Sequence, residues 1–299
     1  MYNFKRILVG LDLSLMDREL IEYTAFICNK IKPDKIYFSH IHRNLSVPPE
    51  VVKEFPEFRE PIDETILAEI KKKVQTFFTG IEAYDVDYEV VEGAPSKELL
   101  HRVEVKNIDL LIMGRKSQLP GNGIIPRQIA RYSQSSVLLV PETAKKQLSH
   151  ILVPIDFSEY SKLAVEEAIM IASADVAKDI DVEALNIFDL PSFGGGVSYG
   201  NKKLEPLIRS NSVDAYNTFM KGIETKDITI NPTFQVNTRY AGANLVNGFA
   251  HRKNADLIVV GAQGKTGLKR IFIGSFTEKL IDSNDDLPLL VVKKKIDRA

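Results

Sequence analysis

The sequence comprises 299 residues, 44% hydrophobic and 26% charged, with a net charge of −1. That length suits two domains of about 150 residues, and so even a charge balance carries no basic footprint for nucleic acid or anionic lipid. A single cysteine, Cys28, excludes an intrachain disulfide and a cysteine-based metal cluster.

Taken in chain order, short apolar runs alternate with helical patterns. The first half predicts strands near 5–11, 35–41, 86–91, 109–113 and 136–140, with helices near 15–31, 62–80, 95–105 and 124–133. Cys28 falls within the amphipathic stretch of the first helix and reads as a core thiol. Ser14, with Asp17 three residues later, resembles a capping box. The polar stretch 142–149 reads as a linker, dividing the chain into domains 1–144 and 145–299. The second half predicts strands near 150–155, 181–187, 232–238, 256–260 and 288–292, and helices near 159–173, 203–224, 242–253 and 275–283. Ser158 precedes Glu159 as a further N-cap, and Gly194-Gly195-Gly196 reads as a surface loop rather than a lid. The strands are apolar along their length, which suits a parallel sheet covered on both faces. Strand–helix alternation with right-handed crossovers then predicts an α/β fold of two doubly wound parallel five-stranded sheets. No run approaches the ~20 apolar residues of a membrane helix, and the short apolar run before Asp12 is too brief for a signal peptide. The expected setting is cytoplasmic.

The halves repeat each other. Ile7-Leu8-Val9-Gly10-Leu11-Asp12-Leu13-Ser14 returns as Ile151-Leu152-Val153-Pro154-Ile155-Asp156-Phe157-Ser158. Asp109-Leu110-Leu111-Ile112-Met113-Gly114 returns as Asp256-Leu257-Ile258-Val259-Val260-Gly261, and Val137 to Val140 as Leu289 to Val292. Three blocks in one order at nearly one offset point to a duplicated domain.

In an open α/β sheet the ligand crevice lies beyond the carboxyl ends of the strands. There, in the second half, Gly261 ends a strand and Gly264 follows where a Cβ would obstruct a tight turn. Gly274 and Ser275 head a helix whose unpaired amides suit phosphate oxygens, and the hydroxyls of Ser275 and Thr277 can add hydrogen bonds. Lys265, Lys269 and Arg270 read equally as phosphate partners or as solvated loop cations. Gly264-Lys265-Thr266 is not a Walker A loop, because Val259 stands where glycine is needed and Gly267 interrupts the helix.

Gly261, two residues, Gly264, nine residues and Gly274-Ser275 together resemble the G-x2-G-x9-G-[ST] loop of the ATP-binding universal stress proteins. The early strand with Asp156 and the closing Pro288-Leu289-Leu290-Val291-Val292 resemble the family as well, over essentially the whole chain. The resemblance implies an adenine-nucleotide α-hydrolase-like, Rossmann-like fold. It also implies ATP, or AMP or ADP, with magnesium in the C-terminal domain. On the same footing, Asp156 contacts the ribose, the backbone of Ile155 and Ile187 meets the adenine, and Gly261, Gly264, Gly274, Ser275, Phe276 and Thr277 surround the phosphates. It implies further that the last strands pair the halves into an intramolecular pseudo-dimer, leaving a homodimer open. The first half departs from the pattern. Ser117 replaces the second glycine, the loop shortens to Gly121-Asn122-Gly123, and no Gly-Ser pair follows, so Asp12 reads as structural or vestigial.

Catalytic constellations are missing from the sequence. His40 and His42 lie two apart without a third metal ligand, and no H-E-x-x-H or G-x-S-x-G is present. A hydrolase would need a positioned base, and none stands out. The favoured reading is a stress or regulatory module that binds an adenine nucleotide with little hydrolysis and acts on a protein partner yet to be identified. A nucleotide-free scaffold and a slow ATP-using enzyme are the alternatives.

Overall fold

The computed structural model describes residues 4–45, 49–54, 62–116, 124–174, 179–190, 199–237, 242–264 and 273–294. Two compact units divide at Lys146 and Gln147.

The first unit contains β1 (Arg6–Leu11), α1 (Met16–Ile31), β2 (Lys35–His42), α2 (Pro49–Glu54), α3 (Ile62–Phe77), a 3-10 turn (Ile81–Ala83) and β3 (Asp85–Glu92). It continues through α4 (Pro95–Val105), β4 (Leu110–Arg115), α5 (Ile124–Tyr132) and β5 (Ser136–Pro141). Its strands run β3-β2-β1-β4-β5, paired in parallel. β1 and β5 are almost wholly buried, whereas β3 at the edge alternates between exposed and half-covered residues. α1 forms because Leu20, Ile21, Ala25, Ile27, Cys28 and Ile31 share one buried side, opposite Arg18, Glu22 and Lys30. It stops where Lys32 turns left-handed at φ 47° and returns its N–H to the Cys28 carbonyl, with Pro33 next to forbid continuation. Burial keeps the Cys28 thiol protonated by pushing its pKa far above the ordinary value.

The second unit contains β6 (His150–Ile155), α6 (Glu159–Ser173), β7 (Asp181–Phe188), α7 (Tyr199–Met220), β8 (Ile230–Val236), α8 (Gly242–Arg252), β9 (Leu257–Gly261), α9 (Ser275–Ser283) and β10 (Leu289–Val292). Its order, β10-β9-β6-β7-β8, repeats the first unit's in parallel pairing. Ile7 pairs with Leu110 and Ile151 with Leu257, so the sequence repeat is also a repeat of register. In each sheet the direction of winding reverses between the first and fourth strands, the place where open α/β sheets bind ligands beyond the carboxyl ends of their strands.

Several expectations need correction. α2 has no counterpart among the predicted elements. α7 begins at Tyr199 instead of 203 and runs through Pro206, which removes one helical donor. Ser14 does not build a capping box. Leu13 adopts φ 62°, the residue ahead of α1 is Leu15 with no side-chain cap, and Asp17 turns instead to the Asp12 N–H and to Lys73. Ser158 does cap α6, its side chain accepting from the Ser161 N–H. Gly121-Asn122-Gly123, Gly194-Gly195-Gly196, Lys265, Lys269 and Arg270 lie outside the described residues. Among those described, no helix is long and apolar enough to cross a membrane.

Candidate functional site

At the reversal point of the second sheet lies a cavity of about 800 Å³. All nine sequence-selected residues line it: Ile155 and Asp156 leaving β6, Ile187 on β7, Gly261 and Gly264 after β9, and Gly274, Ser275, Phe276 and Thr277 at the start of α9.

Asp156 is held in place by its own turn. Its Oδ1 accepts from Ser161 Oγ at 2.7 Å and from the Ser158 N–H at 3.0 Å, while its N–H donates to Ser161 Oγ at 3.0 Å. A Cβ on residue 264 would stand 2.6 Å from Asp156 Oδ2. The φ of Gly264 lies outside the left-handed region, so what a side chain at 264 would meet among the described residues is this carboxylate; the tight turn expected there runs on into residues outside the described ones. Gly261 is tighter still, since a Cβ there would meet the backbone oxygen of Tyr160 at 2.6 Å.

The start of α9 is open. Gly274, extended at φ −72° and ψ 155°, supplies no side-chain cap, and the first helical turn has no intrahelical acceptors for its amides. Gly274 donates to the Ala262 carbonyl at 2.7 Å, which fixes where the helix begins. Thr277 departs from expectation. Its buried hydroxyl donates to the Gly261 carbonyl at 2.8 Å, tying α9 to β9, so its one proton is already committed within the protein. Ser275 and Phe276 are exposed, and the Phe276 ring lies 3.3 Å from where a Cβ of Gly242 would project.

Ser161, Gln263, Asp189 and Asn237 also line the cavity and were missed. Ser161 was readable only through its hydrogen bond to Asp156; Asp189 and Asn237 each stand one residue past a strand and join at 2.8 Å. At the carbonyl that ends the first strand the two halves use different side chains. Asn186 Nδ2 donates to Ile155 O at 2.9 Å, and His40 Nδ1 lies 3.0 Å from Leu11 O. A carbonyl only accepts, so Nδ1 carries the hydrogen. His40 and His42 are neighbours, with ring centroids 5.7 Å apart, and no group of three metal-binding side chains occurs among the described residues.

The family model for "Universal stress protein family" matches residues 3–141 and again 148–293. The chain belongs to the universal stress protein family. It is 35% identical over 147 residues to one universal stress protein of Methanocaldococcus jannaschii, covering 48% of this chain and 81% of the relative. A second protein of that organism is 27% identical over 158 residues, covering 48% of this chain and 94% of its own length. Among solved structures, a universal stress protein from Archaeoglobus fulgidus matches with TM-score 0.62 and 19% identity, over 98% of this chain and 99% of that one. A functionally unknown Pseudomonas aeruginosa protein matches with TM-score 0.67 and 14% identity, over 98% and 93%. These two are likenesses of fold.

Within this universal stress protein the first half keeps the turn but alters its chemistry. Asp12 Oδ1 accepts the Ser14 N–H at 3.1 Å, while Asp12 Oδ2 receives Lys116 Nζ at 2.5 Å. Buried Asp17 stands where Ser161 stands in the second half. It accepts the Asp12 N–H at 3.1 Å and pairs with Lys73 at 3.1 Å.

Proposed function

We propose that the second half binds an adenine nucleotide, ATP foremost, as a regulatory stress-response module with little hydrolysis. The observation that carries this reading is the gathering of an oriented carboxylate, two glycines without room for a Cβ and an uncapped helix start around one cavity. A helix start of that kind favours phosphate through its amides and its partial positive charge. The cavity's size is within the ordinary range for small-molecule sites. Asp156 would hold the ribose hydroxyls, the backbone of Ile155 and Ile187 the adenine, and Gly261, Gly264, Gly274, Ser275, Phe276 and Thr277 the phosphates, with Thr277 contributing main chain alone.

The described lining carries Asp156, Asp189 and Asp282 against Lys279. A triphosphate entering so acidic a site calls for a divalent cation, and magnesium would arrive on the phosphates and water, neutralising charge. Little turnover is supported by the lining itself, which has no histidine among its described residues and uses Asp156 Oδ1 internally. Occupancy would act by biasing the affinity for a protein partner.

Calorimetric titration with ATP and magnesium tests the reading, with saturable binding and negligible phosphate release expected. Gly264→Ala, which drives a methyl into Asp156, should weaken binding at least tenfold while circular dichroism stays unchanged. Unaltered affinity in that variant, or no heat with wild type, overturns it.

A further inference from the structure

We infer that Asp189, fixed in place by Asn237, selects the base of the bound nucleotide by accepting from the exocyclic amino group of adenine. The inference rests on the nucleotide reading of the second half, and it names the side chain that tells an amino-purine from an oxo-purine.

Alternate residues along an extended chain face the same side. Leu185 and Ile187 on β7, and Asp189 one step past its end, all line the cavity in that alternation. With the backbone of Ile187 at the adenine, Asp189 stands two residues further on, roughly 7 Å along the chain. That places a carboxylate beyond the strand end at the edge of the base. Its Oδ1 accepts from Asn237 Nδ2 at 2.8 Å. Asn237 is anchored in turn, its N–H donating to the Phe188 carbonyl at 2.8 Å. The carboxylate is thereby oriented between the ends of β7 and β8. Among the described residues Asp189 Oδ2 has no hydrogen-bond or ion-pair partner, so it is the acceptor left for a ligand.

The first half shows that this side-chain pair is not needed to join the strand ends. Matching register puts Arg43 and Gly93 where the second half has Asp189 and Asn237. There the Gly93 N–H still donates to the His42 carbonyl at 2.9 Å. The backbone bond is common to both halves, and the carboxylate–amide pair is an addition of the second.

An ionised carboxylate only accepts. Adenine offers it a donor amino group at C6, whereas an oxo-purine sets a carbonyl oxygen there, a second acceptor. The first gains a charge-assisted hydrogen bond; the second gains none and meets repulsion. A site built to hydrogen-bond a substrate group rejects analogues lacking it by roughly 10⁴–10⁵ at best. Asp189 is exposed, so water competes and the preference falls well short of that limit.

The test compares ATP with inosine triphosphate, titrated calorimetrically with magnesium. Wild type should favour ATP by about tenfold. Contacts from the Ile187 backbone persist in every variant, so a change in the ratio isolates residue 189. Asp189→Asn keeps an oxygen for Asn237 and turns an amide donor toward the base, so the ratio should fall to about one or invert. Asn237→Ala frees the carboxylate and should narrow the ratio in the same direction. A damaged fold would weaken both nucleotides alike and leave the ratio where it was. An unchanged ratio in Asp189→Asn, with ATP still bound by wild type, overturns base selection alone. Absence of ATP binding by wild type sinks the proposed function and this inference together.

Discussion

Gly261→Ala and Gly114→Ala place the same methyl at equivalent strand ends, yet the structure predicts different costs. At 261 the new Cβ would lie 2.6 Å from the Tyr160 carbonyl oxygen, 2.7 Å from its carbonyl carbon and 2.8 Å from its Cβ. These atoms belong to the first turn of α6, locked by the Ser158 cap, and cannot yield without moving the helix off the sheet. At 114 the obstacle is the side chain of Met16, with Cγ at 2.9 Å and Cε at 3.2 Å. Methionine is unbranched and re-rotates readily. Overpacking against fixed atoms costs about 1–3 kcal/mol, so Gly261→Ala should lower the melting temperature by roughly 3–10 °C for a unit of this size. Gly114→Ala should stay within about 1 kcal/mol of wild type. Scanning calorimetry with far-ultraviolet circular dichroism measures both, and equal losses, or the larger loss at Gly114, would refute the close-approach argument.

Two further outcomes follow from buried polar groups. Thr277→Val removes the donor to the Gly261 carbonyl and should destabilise by about 1–2 kcal/mol, read by urea denaturation; a neutral result would show that the tie between α9 and β9 contributes nothing. Lys293 is buried, and desolvation lowers its pKa to about 7. Because the unfolded chain binds that proton more tightly, stability should rise with pH from about 7 to the ordinary lysine range near 10.4. Lys293→Met should flatten that rise, and an unchanged pH profile would contradict the burial.

The sheets were legible because their strands are near-continuous apolar runs, as Leu257 to Val260 and Val137 to Val140 illustrate. The glycine-lined loop was legible because its spacing is local. What stayed hidden depends on contacts distant in sequence. Lys116 reaches Asp12 across 104 residues, and nothing in its neighbours marks it as different from a solvated lysine. Thr277 looked like a phosphate donor because its partner, Gly261 O, is fixed only when α9 docks. Ser14 and Asp17 had the spacing of a capping box, but the left-handed turn at Leu13 redirected both. The approach of Gly264 to Asp156 was hidden for the same reason, since Asp156 arrives from another strand.

The bond from residue 40 or 186 to the end of the first strand has a use beyond either half. Where the winding reverses, the terminal peptide oxygen of β1 or β6 is met by an imidazole in one copy and a carboxamide in the other. Duplication has therefore preserved a donor at fixed reach while letting the chemical group drift. A leucine grafted at either place would strand that oxygen and loosen the strand end, whereas exchanging histidine and asparagine between the copies should leave both strand ends intact.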